Sequence, residues 1–304
     1  MFVVNPDFYS LPCYRIGPFK TDHLAMNHLL HKNDYAVSYF DNRFGKGNWQ
    51  YTFNGREAIR LALETYQLQK NDLVSIITTS QNFYISSCVT SEIEAFCKWN
   101  REVTQETKLI FVNHEFGHPY PEMKALAATG LPIIEDCCTT FFSQDEHGLI
   151  GKYGDFSLYS FSKFFTIQSG GLIVSNAQQK AAKSVLLNEE HAQYIETVVS
   201  NSLTDVDVLL ETKKRNFDYA ISKFEKLGFT LRFPKKNGTV PSVLLLNNNG
   251  IIKDLNGLKL FLNNHGIQNS IFYGEDAFFI PNHQSLSFTD IDFFCYLISY
   301  YINK

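Results

Sequence analysis

The sequence predicts an α/β protein: a large domain with a mostly parallel sheet flanked by helices, followed by a smaller C-terminal α/β domain. Two observations carry this. Between Leu73 and Asn176, short β-type runs alternate with helix-type stretches, the pattern of strands joined by crossover helices. Two of those runs also end on chemically pointed residues. Ile133-Ile134 runs into Glu135-Asp136, and the run from Phe156 to Phe161 leads into Ser162-Lys163. Buried strands that stop at a carboxylate and at a lysine bring both groups to one sheet edge, where α/β proteins hold ligands. A chain of 304 residues accommodates two domains. The boundary is expected near 210, with 1–210 as the large domain and 211–304 as the small one.

Composition narrows the classes. Hydrophobic residues make up 44% and charged residues 19%, which is globular rather than disordered. With 27 Phe and 16 Tyr, the core is expected to be built from rings as much as from aliphatics. The net charge is −4 and there is no basic block, which argues against nucleic-acid binding. No apolar run approaches a membrane span, and no basic region followed by a long apolar segment opens the chain, so a cytoplasmic protein is expected. The cysteines, 13, 88, 97, 137, 138 and 295, show no CxxC spacing and read as reduced thiols.

Residues 1 to about 50 are rich in aromatics and show few clear periods, and the lone Gly-x-Gly at Gly45–Gly47 reads as a turn. Next, Ile59, Ala62, Leu63 and Tyr66 recur at helical spacing, with Arg60 and Glu64 placed to pair on the outer face. Asn54-Gly55 precedes that helix. This is an ordinary N-cap, or a phosphate site made of free backbone amides at the positive end of the helix. Leu73 to Thr78 reads as a strand and 79–84 as the loop after it. Lys108 to Asn113 is a further strand. His114-Glu-Phe-Gly-His118 then matches the zinc-protease pattern HExxH, which needs both histidines on one helix face. Here the motif follows a strand, contains Gly117 and is closed by Pro119, which argues against a helix and a metal. A helix opened by Pro121 and ended by Gly130 precedes the Asp136 strand.

After Asn176, Ala177 to Glu196 is helix-prone, and Ser200 to Asp207 reads as a break. Phe217, Ala220, Ile221 and Phe224 mark a long amphipathic helix. Strands at 229–233 and 243–246 and a helix through Leu255, Leu258 and Leu262 follow. A last helix, capped by Ser287 and carrying Ile291, Phe294 and Ile298, completes the small unit.

Asp136 and Lys163 suit one cofactor in particular. Pyridoxal 5′-phosphate needs a lysine amine for its aldehyde and a carboxylate on its pyridine nitrogen. The stretches IEDCC, GKYGDFSLYSFSK and QSGGLIVSN, in that order and spacing, resemble the DegT/DnrJ/EryC1/StrS family of fold-type I, pyridoxal-phosphate-dependent sugar aminotransferases. NHEFGHPYPEM resembles the family's strand-end turn. KRNFDYAISKFEKLG and FFIPNHQSLSFTDIDFF resemble its domain-linking helix and its C-terminal segment.

The resemblance implies a set of roles. Lys163 carries the cofactor and moves the substrate proton, and Asp136 holds the pyridine nitrogen. Tyr84 covers the ring face, with Phe83 as its rival. The Gly55 and Arg56 amides and the Ser160 hydroxyl take the phosphate, and Thr139 lies near the phenolic oxygen. It also implies an amino acid donor, with glutamate expected, a nucleotide-linked keto sugar as acceptor, surface polysaccharide or glycoside synthesis as the setting, and a homodimer. Arg56 stands where the family has a small hydroxyl residue. Nothing between Asn176 and Lys213 matches the family's Gly-x-Asn-x-Arg-Met segment. A shortened site leaves a second possibility, a protein of this fold that regulates or scaffolds an aminotransferase. A zinc hydrolase built on His114 and His118 is the alternative of a different class.

Overall fold

The computed structural model describes residues 13–19 and 21–304; residues 1–12, the start of the aromatic-rich opening stretch, which the family resemblance makes an N-terminal arm of the large domain, lie outside them. The elements run α1 (Thr21–Ala25), α2 (Tyr35–Phe44), β1 (Trp49–Thr52), α3 (Gly55–Glu64), β2 (Leu73–Thr78), α4 (Ser87–Glu94), β3 (Lys98–Asn100), β4 (Thr107–Asn113), α5 (Met123–Ala127), β5 (Ile133–Asp136), β6 (Phe156–Ser160) and β7 (Gly171–Ser175). They continue with α6 (Glu189–Thr204), α7 (Val206–Phe224), β8 (Thr230–Leu231), β9 (Val243–Asn247), α8 (Leu255–Asn264), β10 (Ser270–Ile271), β11 (Ala277–Pro281) and α9 (Phe288–Ile302).

The first seven strands form one sheet in the order β1-β7-β6-β5-β4-β2-β3. β3, β2, β4, β5 and β6 pair in parallel, and β7 runs antiparallel to both β6 and β1. Alternation along the strands sorts their side chains onto two buried faces. Leu109 and Phe111 pack with α3 and α4, while Ile110 and Val112 pack with α2 and α6. The second face is the aromatic one. Phe40, Phe141 and Phe161 sit at its centre, with Phe40 and Phe161 stacked at 5.9 Å and the Arg43 guanidinium 4.6 Å above the Phe141 ring. The four-stranded antiparallel sheet β10-β11-β9-β8 is covered by α7, α8 and α9 around Phe224, Leu258 and Phe294. The six cysteines are all free thiols.

Three local expectations need correction. α2 was not foreseen, although Ala36, Phe40 and Phe44 are buried at a strict spacing of four. The helix expected over 177–196 begins only at Glu189, where Asn188 caps it by accepting the His191 amide. The break expected over 200–207 shrinks to Asp205. Asn201, Ser202 and Thr204 donate to the carbonyls of Thr197, Val198 and Ser200 at 2.8–3.0 Å, so these polar residues ride on the helix rather than ending it. The boundary expected near 210 falls inside α7.

Candidate active site

The C-terminal edge of the large sheet gathers the site. Asp136 is the last residue of β5, 5% exposed, level with Asn113 on β4. Its Oδ1 accepts the Cys138 amide at 2.9 Å and its Oδ2 accepts the Asn113 side-chain amide at 3.1 Å. Burial pushes this carboxyl above its ordinary value, against the pull of the Cys138 amide, His114 and Lys163. Two donors leave lone pairs on a buried carboxylate, which suits one more N–H partner.

One strand over, β6 ends at Ser160 and the chain turns through Phe161–Lys163, so that Lys163 stands exposed at the same edge. The N-terminus of α3 arrives beside it. Asn54 caps that helix through the Glu57 amide, and among the described residues no acceptor faces the Gly55 and Arg56 amides. A Cβ on Gly55 would lie 2.9 Å from Cys138 Sγ and 3.4 Å from Ser160 Cβ. Gly55 is therefore needed for close approach, and it sets free helix amides against a serine hydroxyl, the donor set that anions favour. The Arg56 guanidinium turns away to donate to Cys88 Sγ at 3.0 Å.

Lys163 lines two cavities. The inner one, about 260 Å³, is walled by Tyr84, Asn113, Thr139 and Glu115, with Phe116, Phe272 and Phe279 on its apolar side. Tyr84 is half-exposed and tilts against Tyr273 at 5.4 Å, whereas Phe83 is 80% exposed and does not line the cavity. Thr139 donates to the His114 carbonyl at 2.9 Å. The outer one, about 370 Å³, is lined by Arg15, Gly17, Ser162, Lys163, Gln168 and Gln268 among others, and its charged residues are both cations. Arg15 Nη2 is buried without a hydrogen-bond partner among the described residues. The structure thus brings Asp136, Lys163, Tyr84, Gly55, Arg56, Ser160 and Thr139 to one edge. Sequence reasoning missed Asn113, Glu115 and Arg15 as site residues: the first two lie in the NHEFGH stretch, which reads only as a turn and a discounted metal pattern, and no motif marks Arg15.

The HExxH pattern has another use. His114 to His118 form a tight turn, with Phe116 and Gly117 both at positive φ. The Tyr120 amide donates to His114 Nδ1 at 3.0 Å, so Nε2 carries the proton and donates to Glu135 at 3.2 Å. Glu135 also accepts the amides of Gly151, Tyr153 and Gly154. His118 faces away and packs, tilted by 31°, against the Phe233 ring at 4.6 Å. His114, Glu135 and Cys137 do lie close enough together to share an ion, but the histidine nitrogens and the carboxylate oxygens are already spent on these bonds.

A model of the DegT/DnrJ/EryC1/StrS aminotransferase family matches residues 40–194, just over half of the chain. The chain belongs to this family. It is 31% identical over 165 residues to the GDP-perosamine synthase of Escherichia coli O157:H7, a match covering 46% of this chain and 44% of that protein. The match therefore spans less than half of that relative's length. The aminotransferase TlmJ of Streptoalloteichus hindustanus superposes with a TM-score of 0.73 at 14% identity, over 97% of this chain and 99% of that one. The E. coli GDP-4-keto-6-deoxy-D-mannose-3-dehydratase with bound hydrated PLP does so at 0.68 and 14%, over 95% and 100%. At that identity these two report the fold, and the fold is that of the family.

Proposed function

We propose that the chain is a pyridoxal 5′-phosphate-dependent aminotransferase that moves nitrogen from an amino acid, glutamate in the first instance, to a nucleotide-linked keto sugar. The observation that carries the reading is the convergence of Asp136, Lys163 and the Gly55 cradle at one sheet edge. The residues present fit the cofactor. A buried carboxylate with spare lone pairs suits a pyridinium nitrogen, free helix amides with Ser160 suit a phosphate, and the cavity between Tyr84 and Thr139 suits a ring. When bound, the cofactor supplies an electron sink for a carbon that bears nitrogen.

This chain does the rest. Lys163 Nζ would hold the cofactor and, as a free amine, would move a proton at the reacting carbon. Asp136, held in orientation by Asn113, would hold the ring nitrogen and favour its protonated form. Tyr84 and the aromatic wall exclude water. Arg15 gives the outer cleft its affinity for the acidic group of an incoming substrate. The GDP-linked sugar named for the curated relative makes a GDP-linked keto sugar the first acceptor to try. We further propose a homodimer, and a division into domains at residue 210 with α7 as the link. Among the described residues no helix is long and apolar enough to cross a membrane.

One observation favours a second reading, cofactor binding without sugar transamination: no arginine lies between Asn176 and Lys213, where the family carries one. The unpaired Arg15 at the cleft weighs against it. The test is the visible absorbance of the protein with pyridoxal 5′-phosphate, for wild type and Lys163→Ala. A yellow band that needs Lys163 and bleaches with glutamate is the expected result. A band indifferent to every amino acid favours the second reading, and no band in wild type removes the enzyme.

A further inference from the structure

A third cavity lies away from Lys163. It measures about 640 Å³ and shares no lining residue with either of the other two. At its wall stands Lys213, in the middle of α7 and 2% exposed. A lysine so deeply buried normally has a carboxylate partner. Lys213 has none among the described residues. Its Nζ donates to the Asn282 carbonyl at 2.6 Å, which leaves two donor positions without an acceptor among the described residues.

The rest of the lining decides the sign. Lys214, Lys235 and Lys236 join Lys213 against Glu211 and Asp218, and Asp218 is already bonded to Lys235. Phe217 and Phe233 give the cavity an aromatic side. Burial alone draws the Lys213 amine down to about 7, so an arriving anion would restore its proton.

We propose that this cavity is a second binding site, for a small phosphate ester whose phosphate meets Lys213 and Lys236 and whose apolar part lies against Phe217 and Phe233. The cavity falls within the size range of small-molecule sites. The inference does not rest on the aminotransferase reading. It concerns the opposite side of the HEFGH turn, where His118 lines this cavity while Glu115 lines the inner cavity at Lys163.

The experiment is calorimetric titration of the full chain, loaded with pyridoxal 5′-phosphate and then freed of excess cofactor, using inorganic pyrophosphate and phenyl phosphate, in two buffers of different ionisation enthalpy. Wild type and Lys163→Ala are expected to bind alike, with proton uptake near pH 7.5. Lys213→Met, close in volume and apolar, is expected to lose at least ten-fold in affinity together with the proton uptake, while its unliganded melting temperature holds or rises. Lys236→Ala, an exposed position that folding does not need, is expected to weaken binding several-fold. A purely structural Lys213 would instead lower the melting temperature when replaced and leave binding unchanged. The proposal is overturned by that outcome, by no binding at millimolar ligand, or by binding that disappears in Lys163→Ala.

Discussion

Glu135 offers the sharpest test of how the site edge is held. Its carboxylate is fully buried and takes four donors. Oε1 accepts the amides of Tyr153 at 2.7 Å and Gly154 at 2.8 Å; Oε2 accepts the Gly151 amide at 2.9 Å and His114 Nε2 at 3.2 Å. Glu135→Gln keeps the shape and inverts half the chemistry. In its best orientation the amide oxygen keeps Tyr153 and Gly154, and the NH₂ then faces two donors. His114 cannot switch tautomer to help without losing the Tyr120 amide at Nδ1. Each lost bond to a charged acceptor is worth about 1.5–3 kcal/mol. The neutral amide is easier to bury, which offsets part of the sum, and a net loss of about 3 kcal/mol remains. With a urea m-value near the top of the usual range, about 3 kcal/mol/M, the unfolding midpoint should fall by about 1 M at unchanged m. Urea melts followed by tryptophan fluorescence read this directly. A midpoint within about 0.2 M of wild type would refute the four-donor account.

Three further outcomes follow from the same geometry. Burial, with a smaller contribution from Lys236, lowers His118 to about 4 from 6.5, so acid costs stability as pH falls from about 6.5 to about 4; His118→Phe should flatten that window, worth roughly 3 kcal/mol, in melts across pH. Burial raises the Cys88 thiol, but the Arg56 and Ser86 hydrogen bonds and the Arg56 and Lys163 charges bring it below its ordinary value; iodoacetamide should label it ahead of buried Cys97 and Cys137, and Arg56→Ala should slow that labelling in mass-spectrometric time courses. Gly55→Ala presses a methyl to 2.9 Å from Cys138 Sγ, which should cost about 1–3 kcal/mol and weaken pyridoxal-phosphate binding; Gly55→Ala with Cys138→Ala should recover most of the stability, and equal thermal melts for the single and double variants would dismiss the close-packing argument.

The legible parts of the sequence were those where local pattern and tertiary role agree. β2, β4, β5 and β6 lie where the β-type runs predicted, and Asp136 and Lys163 come off the last two at the same edge. The capped start of α9 was equally plain, because Ser287 and Asp290 form a reciprocal capping box. The misreadings share a cause. Ser200, Asn201 and Ser202 resemble a break by composition, yet Ser200 is buried and accepts the Ala36 amide at 2.9 Å, a contact 164 residues away that no local window reveals. Arg15 was invisible for the same reason. Its place beside Lys163 depends on Tyr14 pairing with Ile267 between α8 and β10, and on Gly17 passing so near the Ser162 carbonyl that a Cβ there would stand 2.7 Å from it.

The turn from His114 to His118 shows how one short motif can serve several ends. His114 points inward and, through Glu135, ties β5 to the loop before β6, so the strand that ends in Asp136 is fixed from below. Glu115 points into the inner cavity, where its carboxylate accepts the Ser80 amide at 2.6 Å and burial holds its proton affinity above the ordinary value. Gly117 takes a positive φ, and a Cβ there would sit 2.2 Å from the Val240 carbonyl, so glycine lets the turn lie flat against the entry to β9. His118 faces the lysine-lined cavity on the far side. A helix would put His114 and His118 on one face. The turn sends them to opposite sides, and it therefore breaks the one-face pairing that the zinc pattern needs and turns Glu115 to the inner cavity and His118 to the lysine-lined one.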